Sequence, residues 1–258
     1  MQLLEHVLLD ESDSLECYEA LDRADDDERL QLLALADHPD PQVRRAMVSL
    51  LPHAFAEPPQ AVLEVAIQLT TDMATKVRDW ACFVLAEQWR EVDTPALRKA
   101  LAARLDDLDR DTRCEALLGL AYRHDPRAFP RVRAALSRPS GDLWRLELVA
   151  AGALGDPRLH PFVLRHLDGW DEEDSLVTDA VRRLTDPAGP GADLFRGVAE
   201  LYQARAHGGP ESRGLKAWTL MLKLLDLAPN RTREFYDAVK LRLQGDEAAL
   251  HQLRDLID

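Results

Sequence analysis

Apolar positions in this chain fall in helical registers almost throughout. Val62, Val65, Ala66 and Leu69 lie at i, i+3, i+4 and i+7, and Leu97, Ala100, Leu101, Leu105 and Leu108 continue the rule. Phe129, Val132 and Leu136 form a third stripe of this kind. Each predicts an amphipathic helix with one buried face. Runs of alternating β-branched residues bounded by turns are missing, so the pattern predicts an all-α protein.

Between these stripes a second kind of helix recurs. It carries an acid, then an apolar residue often followed by Arg, then a run of small and large apolar residues. Taking Val43, Val77, Thr112, Leu146 and Val177 as equivalent gives steps of 34, 35, 34 and 31 residues. A further copy starts at Leu215, a step of 38. Such a period is the signature of stacked two-helix repeats. The stretch from Val77 to Trp89 is the strongest copy and reads as one helix. Asp40, Asp72, Asp109, Asp142 and Asp174 stand three to five residues before these reference positions, where a carboxylate can cap free N–H groups and meet the positive helix end. Asp40-Pro41 combines a cap with proline at the first helical position. Ala81, Ala116, Ala150 and Ala151 let neighbouring helices approach closely.

Punctuation divides the rest. Pro52, Pro58 and Pro59 break the segment from His53 to Pro59, and Pro58-Pro59 starts the next helix. Trp89 to Thr94 is a turn before Pro95. Arg123 to Pro126 and Gly155 to Pro157 end one helix and start another. Asp186 to Gly191 and Ala206 to Ser212 are the strongest breakers, with a helix over 193–206 between them. The last helices fall near 231–244 and 246–257. Residues 1–24 read as an acidic N-terminal cap with one or two short helices, 25–186 as regular repeats and 187–258 as divergent repeats of one array.

The residues Val43-Arg44, Val77-Arg78 with Ala81, Thr112-Arg113 with Ala116, and Ala150-Ala151-Gly152-Ala153-Leu154-Gly155 resemble the HEAT repeat family, specifically the short HEAT-like repeats of the phycobilisome-lyase type. The resemblance covers roughly residues 25–190 and extends to about 228. It implies a right-handed α-solenoid of about six to seven stacked antiparallel helix pairs, on the order of 60 Å long, with second helices on the concave face. In that family the loop Asp and the Arg form a ladder between repeats. Glu147 and Thr178 hold the Arg place in the fourth and fifth copies and depart from it.

Charge narrows the partners. The chain carries a formal −14. Thirteen acids stand against Arg23 and Arg29 in residues 1–40, among them Glu5, Asp10, Glu11, Asp13 and the Asp25 to Glu28 run. Such a chain does not draw phosphate backbones over long range; the acidity serves either solubility or a basic partner. Three cysteines, Cys17, Cys82 and Cys114, show no CxxC spacing and read as buried free thiols. The N-terminus lacks the pattern of a signal peptide, and no apolar run is long enough to span a membrane, so a cytoplasmic location is expected. Arg far outnumbers Lys, the usage of a GC-rich bacterial genome.

Candidate chemistry is sparse. No nucleophile elbow, phosphate loop or HExxH occurs. Carboxylate pairs are too numerous for any one to stand out. His160 and His166 are six residues apart and leave one helix face, and His38, His53 and His124 lie at helix ends. No catalytic residue, cofactor or metal is expected. The aromatic residues are the better candidates. With Ala81, Cys82, Val84 and Leu85 buried, Trp80, Phe83 and Glu87 fall on the other side, and their counterparts one repeat later are Glu115, Leu118 and Tyr122. Trp80, Phe83 and Tyr122, with Trp144 near them, make either an aromatic binding patch beside carboxylates or gap-fillers between repeats. Trp170, among five acids, either pins its loop or meets a partner. The expected function is a non-enzymatic scaffold holding another protein on the concave face, with a basic partner as one of the two readings of the acidity. Alternatives are an immunity or antitoxin-type inhibitor, a HEAT-like alkyl-base DNA glycosylase and a chromophore lyase subunit.

Overall fold

A computed structural model describes residues 15–139, 141–168 and 170–254. The first fourteen residues, with the acids Glu5, Asp10, Glu11 and Asp13, lie outside the described residues, as do 255–258 at the end of the last expected helix. Among the described residues every regular element is helical. The chain divides into two compact units, 1–128 and 129–258.

The first unit contains α1 (Leu15–Arg23), α2 (Asp26–Leu30) continued by a 3₁₀ segment (Gln31–Leu35), α3 (Pro41–Ala54), α4 (Gln60–Leu69), α5 (Thr75–Phe83), a π-helical segment (Val84–Gln88), α6 (Pro95–Arg104) and α7 (Arg110–Tyr122). Helices α3, α5 and α7 carry the first three reference positions, Val43, Val77 and Thr112, and α5 packs against both α3 and α7. Val43, Val77 and Thr112 point into this core, buried to 7% exposure or less. The small residues Ala81 and Ala116 are fully buried, as their place in the helix pattern predicts. At Gly119 an added Cβ would lie 2.7 Å from Leu101 Cδ1 and 2.9 Å from Ala86 Cβ, so only glycine lets α7 come this close.

Two acid registers, pooled in the sequence pattern, separate here. Three residues before the reference position stand the caps: Asp40 accepts from the Gln42 N–H at 2.9 Å and Asp109 from the Thr112 N–H at 2.9 Å. Five residues before it stand Asp72 and Asp107, which are not caps. Ala74 heads α5, and Asp72 instead takes Arg44 in a two-pronged pair at 2.7 and 2.8 Å. Asp107 takes Arg78 likewise at 3.1 and 3.0 Å. The same arginines fasten the preceding loops. Arg44 Nη1 donates to the carbonyls of His38 and Pro39, Arg78 Nη1 to those of Asp72 and Met73, and Arg113 Nη1 to those of Asp107 and Leu108. The recurrent Val-Arg or Thr-Arg pair therefore has a local cause: one residue fills the core while the next ties down its own loop.

Several boundaries differ from the sequence pattern. Pro52 does not end a helix; α3 runs through it to Ala54. Leu105 caps α6 and Leu108 lies beyond the helix end, 98% exposed, so the apolar stripe of α6 stops at Leu101. The helix read to Trp89 changes at Val84 to π geometry, closed by the Trp89 N–H on the Val84 carbonyl at 2.9 Å. The wider turn delivers Trp89 into the core at 2% exposure, where its indole N–H reaches the Phe55 carbonyl at 2.9 Å.

The second unit contains α8 (Ala128–Leu136, whose first residue belongs to the first unit), α9 (Arg145–Leu154), α10 (His160–Val163) between two short 3₁₀ turns, α11 (Glu172–Thr185), α12 (Ala192–His207), α13 (Ser212–Leu227), α14 (Thr232–Arg242) and α15 (Glu247–Arg254). Here α11 packs against α9 and α13, while α12 packs against α13, α14 and α15. Gly155 ends α9 at φ +56, a left-handed cap, and the Asp156 carboxylate accepts from the Arg158 N–H at 2.9 Å with Pro157 between them. Asp142 and Asp174 are not caps either. Trp144 heads α9, its N–H on the Glu147 carboxylate at 3.0 Å, and α11 starts early, capped by Asp171. Arg145, two residues before the Arg place held by Glu147, supplies a ladder rung by reaching Asp174 at 2.6 Å.

Candidate functional site: an aromatic and carboxyl face on the first unit

Trp80 and Phe83 sit one helical turn apart on α5 and meet edge to face, ring centroids 5.4 Å apart. Both are half-buried, and the Arg45 guanidinium lies over the Trp80 ring at 5.9 Å. The stripe behind them, Ala81, Cys82, Val84 and Leu85, is fully buried as expected. The π turn then carries Glu87. Because this segment advances by a wider turn than an α-helix, Glu87 is displaced from the 3.6-residue register of Trp80 and Phe83.

Glu87 hydrogen-bonds Glu115 of α7. Glu115 occupies the place that Trp80 holds one repeat earlier. Burial, and then the neighbouring Glu87, push the Glu115 carboxyl up to about 9, with Asp79 and Asp111 adding to the effect. The two carboxyls therefore hold one proton between them at neutral pH. Its Oε2 is buried and accepts no hydrogen bond. Burial also raises Asp79, opposed by Lys76, whose ammonium lies 3.3 Å away. Burial pushes the Cys82 thiol beneath this face well up, so it stays protonated. All three cysteines are buried thiols outside any disulfide.

The remaining sequence candidates divide. Tyr122 is half-buried with Arg90 over its ring at 5.8 Å. Leu118 is not on this face: it is fully buried, because α7 is enclosed on all sides from Ala116 to Ala121. Trp144 belongs to the second unit, 41% exposed at the head of α9. Trp170, also in the second unit, is half-buried, and its indole N–H donates to the His166 carbonyl at 2.6 Å, which ties the loop before α11 to the preceding turn.

The histidines have local partners: His166 meets the Leu136 carbonyl at 2.9 Å and His160 the Thr185 hydroxyl at 3.2 Å. His124, at φ +47, closes the end of α7, where glycine is more usual. No group of three or more His, Cys, Asp or Glu among the described residues is placed to hold a metal ion. The sequence pattern placed Glu87 and Glu115 on this face but missed their pairing. The signal was there only as two acids ten and three residues past successive reference positions, and the π turn that joins them leaves no mark in the periodicity.

No family model matches the chain. Over 125 residues it is 29% identical to protein YibA of Escherichia coli K12, a stretch that is 48% of this chain and 43% of YibA. YibA of Escherichia coli O157:H7 matches to the same extent. The chain thus spans less than half the length of the curated relatives it matches. The crystal structure of Escherichia coli YibA superposes with a TM-score of 0.44 at 18% identity, covering 71% of this chain and 81% of that one.

Proposed function

We propose that the chain is a non-enzymatic binding scaffold of HEAT-like helix pairs that holds a basic segment of another protein against the face of α5 and α7. The observation that carries this reading is the half-buried Trp80–Phe83 pair on α5, followed directly by the π segment whose Glu87 meets Glu115 of the adjoining α7. Rigid aromatic rings supply contact area at low entropic cost. A partly desolvated acid pair that retains one proton has room for one more positive charge, and a guanidinium or ammonium brought by a partner satisfies both carboxyls while the proton leaves. The formal charge of −14 favours encounter with such a partner. The stacking of the helix pairs into a solenoid with these side chains on its concave side belongs to the same proposal.

Affinity capture from the source cell with the full chain, run beside a Trp80→Ala/Phe83→Ala variant and a Glu87→Gln/Glu115→Gln variant, tests it. The expected result is a protein with a Lys- or Arg-rich segment that is retained by the native chain and lost by both variants. An unchanged set of captured proteins in both variants would overturn the assignment of this face.

A further inference from the structure

Three loops of the first unit are built alike and end in an apolar side chain pointing at solvent. Four residues before the reference position stand Pro39, Met73 and Leu108. Pro39 is exposed, Met73 is 97% exposed and Leu108 is 98% exposed. Met73 and Leu108 are the two most exposed large hydrophobic side chains among the described residues. Nor do they sit on slack chain. The carbonyl of each of the three accepts a hydrogen bond from the arginine one residue past the reference position: Arg44 at 3.3 Å, Arg78 at 3.2 Å and Arg113 at 2.9 Å. Arg44 and Arg78 are fixed in turn by Asp72 and Asp107. Three apolar knobs are therefore presented on pinned backbone, at the same register of consecutive repeats.

The spacing of the knobs follows from the packing. Helices α3, α5 and α7 lie against one another in order, and packed helix axes are about 8–10 Å apart. Seven residues of α-helix rise about 10.5 Å. A helix laid across the row thus brings one side chain of each successive heptad to each knob. Charge selects the rest of that helix. Asp72 and Asp107 are neutralised by Arg44 and Arg78. The loops and first turns beside the knobs then carry five acids, Asp37, Asp40, Asp106, Asp109 and Asp111, against three bases, Lys76, Arg110 and Arg113, so the rim keeps an acidic surplus.

We infer that the Pro39–Met73–Leu108 row is a docking surface for an amphipathic α-helix of a partner protein, with apolar residues every seventh position and Lys or Arg beside them. Apolar contact along the row fixes the register, and the acidic rim sets the sign of the flanking charge. This inference stands apart from the Trp80 face.

The test uses the full chain and a synthetic peptide of about 21 residues, long enough to cross the three knobs. The peptide has Leu at every seventh position on an otherwise Lys- and Gln-bearing helix, and the control has the same composition scrambled. Binding is read by fluorescence anisotropy and by the Met73 methyl resonance. That resonance is assigned by its loss in Met73→Leu, since Met1 also contributes a methyl signal while Met47 and Met221 are buried. The expected result is a shift of the Met73 methyl on adding the periodic peptide, with binding weakened about tenfold or more in a Met73→Asp/Leu108→Asp variant. Both residues are exposed, so the variant folds. Trp80→Ala should leave the affinity unchanged. Equal binding of the scrambled peptide, no binding by either peptide, or loss in Trp80→Ala without loss in the double variant would overturn the inference. Concentration-dependent self-association abolished by the double variant would overturn it in favour of a second copy of the chain.

Discussion

The Arg123 guanidinium is buried within the first unit, and its Nη2 donates to the Trp89 carbonyl at 2.8 Å. The same nitrogen meets the Leu85 carbonyl at 2.8 Å, Nε meets Val92 at 2.8 Å and Nη1 meets Gly119 at 2.8 Å. Among the described residues no carboxylate is shown hydrogen-bonding this arginine; carbonyl dipoles at the ends of the π segment and α7 hold its charge. Burial lowers its pKa to about 10, so it remains charged at neutral pH. It is the clamp that lets a π turn persist beside Glu87.

Truncating that clamp tests its weight. Arg123→Ala strands several buried carbonyls, each of which costs about 1–3 kcal/mol when left unmade. The expected loss is on the order of 3 kcal/mol or more in urea unfolding, with a changed tryptophan emission as Trp89 loosens. Arg123→Lys should recover only part, because an ammonium cannot fork to all the carbonyls that the guanidinium serves. An unaltered midpoint in Arg123→Ala would show that water replaces the clamp.

The Glu87–Glu115 pair makes a pH prediction with a definite sign. The folded pKa of Glu115 is raised, so between its ordinary value of 4.5 and about 9 the folded state holds a proton that the unfolded state has lost. Stability from this group therefore falls as pH rises through that window, by at most about 1.4 kcal/mol per pH unit. Glu115→Gln keeps a donor towards Glu87 and removes the titration. The variant should be more stable than the native chain at pH 8, and the two should converge near pH 5. Denaturation midpoints measured from pH 5 to 9 decide it; parallel curves would mean that Glu115 is ionised in the folded protein.

What was legible in the sequence follows from what is local. The Asp40-Pro41 cap, the Gly155 stop and the fully buried Ala81, Cys82, Val84 and Leu85 all express helix propensity or one helical face, which few residues settle. The roles of Asp72 and Asp109 were confounded because both are acids shortly before a second helix. Only a partner 28 residues away, Arg44, tells one from the other. The π turn at Val84 was illegible for a deeper reason. Its residues are ordinary helix formers, and the extra residue is stabilised by Phe55 and Arg123, which are remote in the chain. Leu118 was misplaced because a periodic reading assumes one open face, while α7 is enclosed on every side at that level.

The ladder rungs predict a contrast. Burial pushes the Asp107 carboxyl up, but Arg78 and the Asp109 N–H outweigh it and hold it below the ordinary range. Asp72 is lowered by Arg44. A depressed folded pKa gives stability that is present above the ordinary carboxylate value and lost as pH falls through the folded one. Arg78→Ala should cost about 1–3 kcal/mol: the nearly inaccessible Asp107 loses its two-pronged partner but keeps Arg104 at 3.1 Å, and the Asp72 and Met73 carbonyls lose their donor. It should also weaken the acid dependence below pH 4. The solvent-facing Arg158–Asp156 pair, 2.6 Å apart but exposed at Arg158, is the control; Arg158→Ala should leave the unfolding midpoint where it is. Equal losses in the two variants would remove the distinction between rung and surface pair.

Gly119 offers a test of whether close helix approach sets the geometry of the candidate face. A methyl there would meet Leu101 Cδ1 at 2.7 Å, Ala86 Cβ at 2.9 Å and Ala86 Cα at 3.0 Å. Leu101 can turn aside, but Ala86 lies within the π segment and presents backbone, so α7 must move off or the turn must re-form. Gly119→Ala gains helix propensity, yet it should still lose about 1–3 kcal/mol to overpacking. The loss should come with a change at the face itself: Glu87 shifts relative to Glu115, and the pH dependence of stability between 5 and 9 flattens towards that of Glu115→Gln. Pairing Gly119→Ala with Leu101→Ala relieves the flexible half of the clash and leaves the Ala86 half. If the pair regains the native pH profile, Leu101 alone limits the approach; if the flattened profile persists, the backbone contact with the π segment is what brings the two carboxyls together.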